Sequence, residues 1–139
     1  MTKIERTLEV KAPVEKVYAV CEDVENYINF MDGAREIKMT GEKTSHWKME
    51  LLGRAVEFDG EFTECVKNER LTWELKGDLK STGSWILNPT AGGTQVTYVM
   101  DYKMPGIMGA IIDKIKVTKE MEKGIETSLD AFKKIVETK

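Results

Sequence analysis

The last third of the chain carries one long helical pattern, and it follows a stretch that is otherwise patterned as β-strand. Apolar residues recur there at intervals of three and four, as expected for one face of an α-helix. The stripe, with two polar members in its middle, runs through Ile107, Ile111, Ile115, Thr118, Glu122, Ile125, Leu129, Phe132 and Val136. A continuous helix from about residue 106 to 138 would be roughly 50 Å long at about 1.5 Å per residue. We expect a helix of that length to lie across a sheet.

This arrangement predicts interior space. Seven strands spaced about 4.8 Å apart spread over about 30 Å, whereas one helix covers only about 10–12 Å of width. The sheet must therefore curl around the helix. We expect the curled sheet to leave a cavity that one helix does not fill.

Alternation of apolar and polar residues predicts the seven strands. In residues 3–10, Ile4, Leu8 and Val10 share one face with Arg6. Residues 34–103 keep a period of two almost throughout, which predicts six more strands. The expected turns lie at Gly41, Gly53, Lys67–Asn68, Gly77–Asp78, and Asn88–Pro89 with Gly92–Gly93. Because one face is apolar and the connections are short, we expect an antiparallel meander with its outer face in water.

Two short helices are expected between the first and second strands. Pro13 suits the start of the first helix, Asp23 suits the cap of the second, and Gly33 ends the pattern. Within the strands, Gly60 and Gly83 fall on the inward phase, where a missing side chain permits a bend or bulge.

Composition limits the possible partners. With 139 residues, 41% hydrophobic and 32% charged, the chain is typical of one globular domain, and its net charge of −3 offers no attraction to nucleic acid. No stretch approaches the ~18 apolar residues of a membrane span, and the N-terminus lacks a signal-peptide pattern. We expect a cytoplasmic protein with no stable membrane insertion.

The cysteine and histidine content does not favour a metal site or cofactor. Cys21 and Cys65 lack ligand spacing, and His46 is the single histidine, on the outward phase of its strand. We expect two reduced thiols, no metal and no cofactor.

The order of strand, two short helices, six strands and long helix resembles the START-like superfamily. The resemblance rests on the segments LEVKAPVEKVYAVCEDVENYINFM, GDLKSTGSWILNP and GGTQVTYVMDYKMPG. This superfamily includes birch-pollen-allergen-like, polyketide cyclase/dehydrase and coenzyme Q-binding proteins. The resemblance implies an α+β helix-grip fold over residues 1–139, as one domain. It also implies a hydrophobic ligand between the sheet and the C-terminal helix.

Inward-phased side chains are the candidate ligand-binding residues. Aromatic residues and methionine suit flat, apolar ligands of variable shape. The apolar and aromatic candidates are Trp47, Met49, Phe58, Phe62, Trp73, Trp85, Tyr98, Met100, Tyr102, Ile111 and Ile115, and the polar ones are Arg6, Thr118 and Glu122. The alternative interpretation is that the apolar members simply fill the core.

The polar members have two interpretations of their own. An inward charge needs a partner, so an Arg6–Glu122 contact could form inside the barrel and orient a ligand. Alternatively, both side chains reach water at an element's end. Gly124 could let the helix bend, and Met104, Ile107, Met108 and Ile112 could form a cavity mouth or pack at the helix start.

Three functions are compatible with this pattern. The leading hypothesis is a binding protein for a small hydrophobic molecule: a lipid, polyketide, quinone or aromatic metabolite. The second is a cyclase, aromatase or dehydrase that uses inward polar groups such as Arg6, Tyr98 or Glu122, although no motif assigns catalytic residues. The third is a protein-interaction module.

Overall fold

Seven antiparallel strands and a C-terminal helix make up the computed structural model, which describes residues 2–103 and 114–138. The strands are β1 Thr2–Val10, β2 Ala34–Met39, β3 Thr44–Leu51, β4 Arg54–Val66, β5 Arg70–Gly77, β6 Lys80–Thr90 and β7 Gly93–Lys103. The helices are α1 Val14–Glu22, a 3₁₀ helix Val24–Asn29, and α2 Lys114–Glu137. The seven strands and the two short helices confirm the order predicted from the sequence.

One sheet contains all seven strands, in the order β1-β7-β6-β5-β4-β3-β2. Each pair of neighbours is antiparallel, and β1 pairs with β7 along its whole length, from Thr2 opposite Tyr102 to Val10 opposite Thr94. The apolar faces of the strands point toward α2 and the short helices, whereas the opposite faces carry the exposed charges. The predicted α+β helix-grip architecture is therefore confirmed.

The last hairpin differs from its prediction. β6 continues through Asn88 and Pro89 and pairs up to Thr90 opposite Gly93, so the turn is at residues 91–92. Pro89 is tolerated there because β5 begins at Arg70, opposite Ile86, and leaves the end of β6 as an edge strand.

The two mid-strand glycines do not produce bulges. The irregularities fall between Ala34 and Glu36 and between Phe62 and Glu64 instead. Gly83 allows a close approach, since a Cβ there would lie 2.3 Å from Cζ2 of Trp73. The missing side chain thus lets the Trp73 ring approach the backbone of β6 at Gly83.

The helical stripe is confirmed in one half of α2 and wrong in the other. Ile125, Leu129, Phe132 and Val136 are buried as predicted. Toward the N-terminal end, the buried side chains are Val117 and Met121, whereas Ile115 is 67% exposed and Thr118 and Glu122 are only half-buried.

The physical reason for this error is a rotation of about 100° per residue around the helix. Thr118 and Glu122 lie one position past Val117 and Met121, so they face the flank of the helix beside β1. There Glu122 meets a charged partner, and the apolar pair takes the inward face. The predicted helix start near residue 106, and the residues Met104, Ile107, Met108, Ile111 and Ile112, lie outside the described ranges.

Candidate functional site

A cavity of about 180 Å³ lies between the concave face of the sheet and the N-terminal half of α2. By the same measure, one water molecule needs only about 10–15 Å³. The 3₁₀ helix and the residues after it close one side of the cavity through Val24, Tyr27 and Met31. The interior space that the strand and helix widths predict is therefore present.

Eight of the predicted site residues line this cavity, and all of them come from the sheet. They are Trp47, Met49, Phe58, Phe62, Trp73, Trp85, Tyr98 and Met100. The aromatic members pack on one another: the rings of Trp47 and Phe58 stack with centroids 5.6 Å apart, and those of Trp73 and Tyr98 lie 5.2 Å apart. These ring contacts hold the aromatic side chains of the wall against one another. All three tryptophans of the chain belong to it.

Five predicted residues lie elsewhere, and Ile111 lies outside the described ranges. Tyr102, near the end of β7, is buried, and its hydroxyl has no hydrogen-bond partner in the part of the chain that the structure describes. Ile115 is exposed and Thr118 is half-buried on the flank of α2. None of these three residues lines the cavity, because β7 runs past it and the helix face is rotated.

Arg6 and Glu122 do make the contact that the sequence suggested. Arg6 Nη2 lies 3.1 Å from Glu122 Oε2 and 3.9 Å from a carboxylate oxygen of Glu126. The two side chains are 35% and 39% exposed, so the ion pair is at the sheet edge and not in the cavity. The ion pair joins β1 to α2. Because the guanidinium of Arg6 and the carboxylate of Glu122 compensate each other's charge, neither group is directed at a ligand.

Several lining residues escaped the sequence prediction. Their signals differ: Ser45 lies two residues before Trp47 on the same face of β3, and Tyr27 and Met31 belong to the short helical pattern. The other missed apolar and small residues are Val24, Leu51, Leu52, Gly60, Leu75, Leu79, Met121, Gly124, Ile125 and Ser128. Face spacing could have found Ser45, but a turn residue such as Leu52 has no periodic signal.

The buried polar groups of the cavity are neutral. The hydroxyl of Tyr98, a residue only 5% exposed, has the sulfur of Met100 as its partner at 3.7 Å. Burial raises the pKa of Tyr98, so its hydroxyl keeps the proton. Ser45 Oγ accepts a hydrogen bond of 2.9 Å from Trp47 Nε1. A bound molecule could therefore accept a hydrogen bond from Tyr98 or Ser45.

Tyr27 links the cavity wall to the short helices. Its hydroxyl donates to the carbonyl of Cys21 and accepts a hydrogen bond of 3.0 Å from Trp85 Nε1. Burial also raises the pKa of Tyr27 well above its ordinary value. This chain of bonds fixes the orientation of the Trp85 ring.

The charged lining residues lie at the rim of the cavity. They are Asp32, Lys43, Glu50, Glu61 and Glu120, and all five are exposed. His46 is on the outer face of the sheet, where Nδ1 lies 2.8 Å from Asp59 Oδ1 and Nε2 lies 3.2 Å from Glu57 Oε1. Among the described residues, no three His, Cys, Asp or Glu side chains are placed to hold a metal ion. The cavity offers apolar surface and hydroxyl donors, with carboxylates at its entrance.

Within residues 2–103 and 114–138, no helix combines the length and the apolar character that crossing a membrane requires.

Comparison with known proteins places this geometry in a family. Residues 1–137 match the model of the family described as polyketide cyclase / dehydrase and lipid transport. An uncharacterised 17.2 kDa protein of Streptomyces lincolnensis, from the melC2-rnhH intergenic region, is 30% identical over 139 residues, covering 99% of this chain and 91% of that protein.

Solved structures share the fold. A START superfamily protein from Mycobacterium smegmatis superposes with a TM-score of 0.83 at 17% identity, over 97% of each chain. The Zhui aromatase/cyclase from Streptomyces sp. R1128 gives 0.82 at 14% identity, over 98% of this chain and 93% of that one. The chain therefore belongs to the polyketide cyclase / dehydrase and lipid transport family and has a START-like helix-grip fold.

Proposed function

We propose that the protein binds a small, uncharged hydrophobic molecule in the cavity between the sheet and α2. The observation that carries this proposal is a preformed space of about 180 Å³ with three tryptophans in its wall. An apolar ligand would gain about 25 cal/mol for each Å² of surface that it buries there. Family membership supports the same function, since lipid transport and polyketide chemistry both require hydrophobic binding.

The size of the cavity narrows the class of ligand. Pockets for drug-sized molecules usually measure about 300–1,000 Å³, so this space favours a compact molecule of no more than about three aromatic rings. A quinone ring or the first part of a lipid or polyketide chain would fit the same space. An oxygen acceptor on the ligand would be directed at the Tyr98 hydroxyl.

The charge distribution favours a neutral ligand. The described lining carries four carboxylates and one lysine, all at the rim. An anionic group buried among the aromatic rings would lose its hydration without gaining a cation, which costs several kcal/mol.

Binding can be tested with a matched pair of dyes. N-phenyl-1-naphthylamine is neutral, and 8-anilinonaphthalene-1-sulfonate has the same ring skeleton with a sulfonate added. We expect saturable binding of the neutral dye, with weaker binding of the anion. Enhanced dye emission and quenched tryptophan emission both report the event, because all three tryptophans line the cavity.

Two tryptophan substitutions locate the binding site. M121W places a large ring into the cavity from α2 and should weaken binding of the neutral dye severalfold. V99W makes the same kind of change on the outward phase of β7 and should leave binding unchanged. A folded wild-type protein that binds neither dye, or an equal loss in both variants, would contradict the proposal.

A cyclase or aromatase activity is the second candidate, and Tyr98 is the observation that favours it. Tyr98 lines the cavity and its protonated hydroxyl could polarise a ligand carbonyl, whereas Arg6 and Glu122 pair with each other outside the cavity. With a poly-carbonyl substrate, Y98F should remove turnover and keep affinity for the neutral dye, while R6Q should change neither. Full turnover by Y98F would eliminate this role.

A further inference from the structure

Two non-glycine residues in the described ranges have a positive backbone φ, and they differ in kind. Asn68, at 63°, is in the turn between β4 and β5, and asparagine is the usual side chain for this conformation. Leu52, at 55°, is in the turn between β3 and β4. Leucine is unfavourable there because its Cβ crowds the following carbonyl and its apolar side chain, unlike that of asparagine, can form no compensating local hydrogen bond.

The turn itself does not need leucine. Leu51 pairs with Arg54, so Leu52 and Gly53 form a two-residue loop in which both φ angles are positive, at 55° and 77°. This geometry is that of a type I′ turn, for which Asn-Gly is the preferred sequence. The leucine therefore weakens the turn locally, and the reason for it must lie in what its side chain contacts.

That side chain lies where the cavity meets the surface. A polar groove adjoins the cavity, and the residues lining both spaces are Asp32, Glu50, Leu52 and Glu120. The three acidic residues are exposed, whereas Leu52 is half-buried and packs against the hydrophobic core. Leu52 is thus the apolar member of this passage.

The base of the hairpin is held in place while its tip is open. The backbone N–H of Glu50 donates a hydrogen bond of 2.8 Å to the carbonyl of Gly33. A Cβ on Gly33 would lie 2.4 Å from the Glu50 carbonyl oxygen, so the two chains are in close contact. Among the described residues, a Cβ on Gly53 would have nothing within 4 Å. The fixed base therefore positions Leu52, which lines both the cavity and the groove.

We propose that Leu52 closes the mouth of the cavity and slows the exchange of its contents with solvent. The strained turn is kept because an apolar side chain is needed at this point to cover the passage between three carboxylates. The proposal depends on the proposed function only for what the cavity holds, since closure can be measured on the empty protein.

The tryptophans provide the measurement. Acrylamide is a neutral quencher that must reach an indole ring by contact, and Trp47, Trp73 and Trp85 all line the cavity. L52N keeps a turn of preferred sequence and removes the apolar cover, so quenching should increase severalfold while the protein stays folded. L52M keeps an apolar side chain of similar volume and should quench like wild type.

N68L is the matched control for backbone strain. It places leucine in the same left-handed conformation at a turn away from the cavity, so we expect a lower unfolding midpoint with unchanged quenching. Equal quenching in L52N and wild type would overturn the proposal. Quenching in L52M as strong as in L52N would also overturn it, because the effect would then not come from an apolar cover.

A second readout uses the neutral dye N-phenyl-1-naphthylamine. If the dye binds, stopped-flow release should be severalfold faster from L52N than from wild type and L52M, and unchanged release would count against Leu52. If wild type binds no dye, the proposed function fails, but the quenching comparison still decides whether Leu52 covers the cavity.

Discussion

The two halves of α2 rest on the same sheet but have opposite surroundings. In the C-terminal half, Phe132 and Val136 are completely buried. The Phe132 ring stacks on Trp85 with centroids 4.8 Å apart and meets Phe30 at 5.4 Å. In the N-terminal half, Met121 faces the cavity instead of a ring. The C-terminal half completes the core, and the N-terminal half covers the cavity.

The polar contacts follow the same division. At the C-terminal end, the ammonium of Lys133 donates to the carbonyl of Glu9 at 2.7 Å, and the N–H of Lys11 donates to Glu137 at 2.8 Å. The Lys11 N–H and Lys133 together hold the pKa of Glu137 below its usual range. At the N-terminal end, the partly exposed Arg6–Glu122 pair joins the helix to β1. Because these contacts hold the C-terminal half of α2 against β1, the N-terminal half can cover a cavity without close packing.

The largest expected effect comes from truncating the closed half. F132A removes a ring with no room to relax and should lower the free energy of unfolding by about 3–5 kcal/mol. M121A enlarges an existing space and should cost about 2 kcal/mol or less, at the lower end of methionine truncations. Urea unfolding followed by circular dichroism measures both. Equal losses would mean that the two halves are packed alike.

The same contrast shows what could be predicted from the sequence. The helical stripe is correct at Leu129, Phe132 and Val136, where tight packing forces the apolar face inward, and at Ile125, which is buried where the helix meets the cavity. It is wrong by one position in the open half, because a cavity does not demand a particular side chain opposite it. In that half the buried side chains are those of Val117 and Met121, and the polar residues Thr118 and Glu122 lie on the flank of the helix.

Strand alternation located most of the wall, because period two assigns each side chain to one face or the other. Alternation could not distinguish Tyr98, which lines the cavity, from Tyr102, which is buried but does not line it, since both side chains are on the same face of β7. Position along the strand decides between them, and that depends on where the helix crosses. Leu52 was beyond prediction because its role depends on a backbone conformation that leucine rarely adopts.

A pair of buried tyrosines gives the next largest effect. Y27F leaves the Cys21 carbonyl and the Trp85 N–H without their partner, so it should lower the free energy of unfolding by about 1–3 kcal/mol. Y102F removes a hydroxyl that has no partner among the described residues and should be neutral or slightly stabilising. Chemical denaturation of the two variants tests this, and a larger loss in Y102F would reverse the assignment of the two hydroxyls.

Gly124 gives a smaller effect of opposite sign. It is in α2 at the edge of the cavity, where, among the described residues, a Cβ would meet only the Asp32 carboxylate at 3.5 Å, an ordinary contact. G124A should therefore raise the free energy of unfolding by about 0.5–1 kcal/mol through helix propensity. If the open half also bends at this residue, the stiffer helix should reduce acrylamide quenching of the tryptophans. A destabilised G124A would show that the space is needed for packing.

The smallest effect belongs to the outer face, which adjoins neither half of α2. Hydrogen bonds that the His46 ring donates to the carboxylate of Asp59, and then to that of Glu57, raise the pKa of His46 above its ordinary value of about 6.5. A group with a raised pKa in the folded state stabilises fully below the unfolded pKa and loses that contribution as pH rises through the folded pKa. The free energy of unfolding should thus decline slightly over that interval in wild type, but not in H46Q. Added salt should reduce the difference between wild type and H46Q.

Because His46 is on the face away from the cavity, the affinity for the neutral dye should stay constant through the same titration. An affinity that followed the protonation of His46 would show that the sheet transmits charge changes to the N-terminal half of α2.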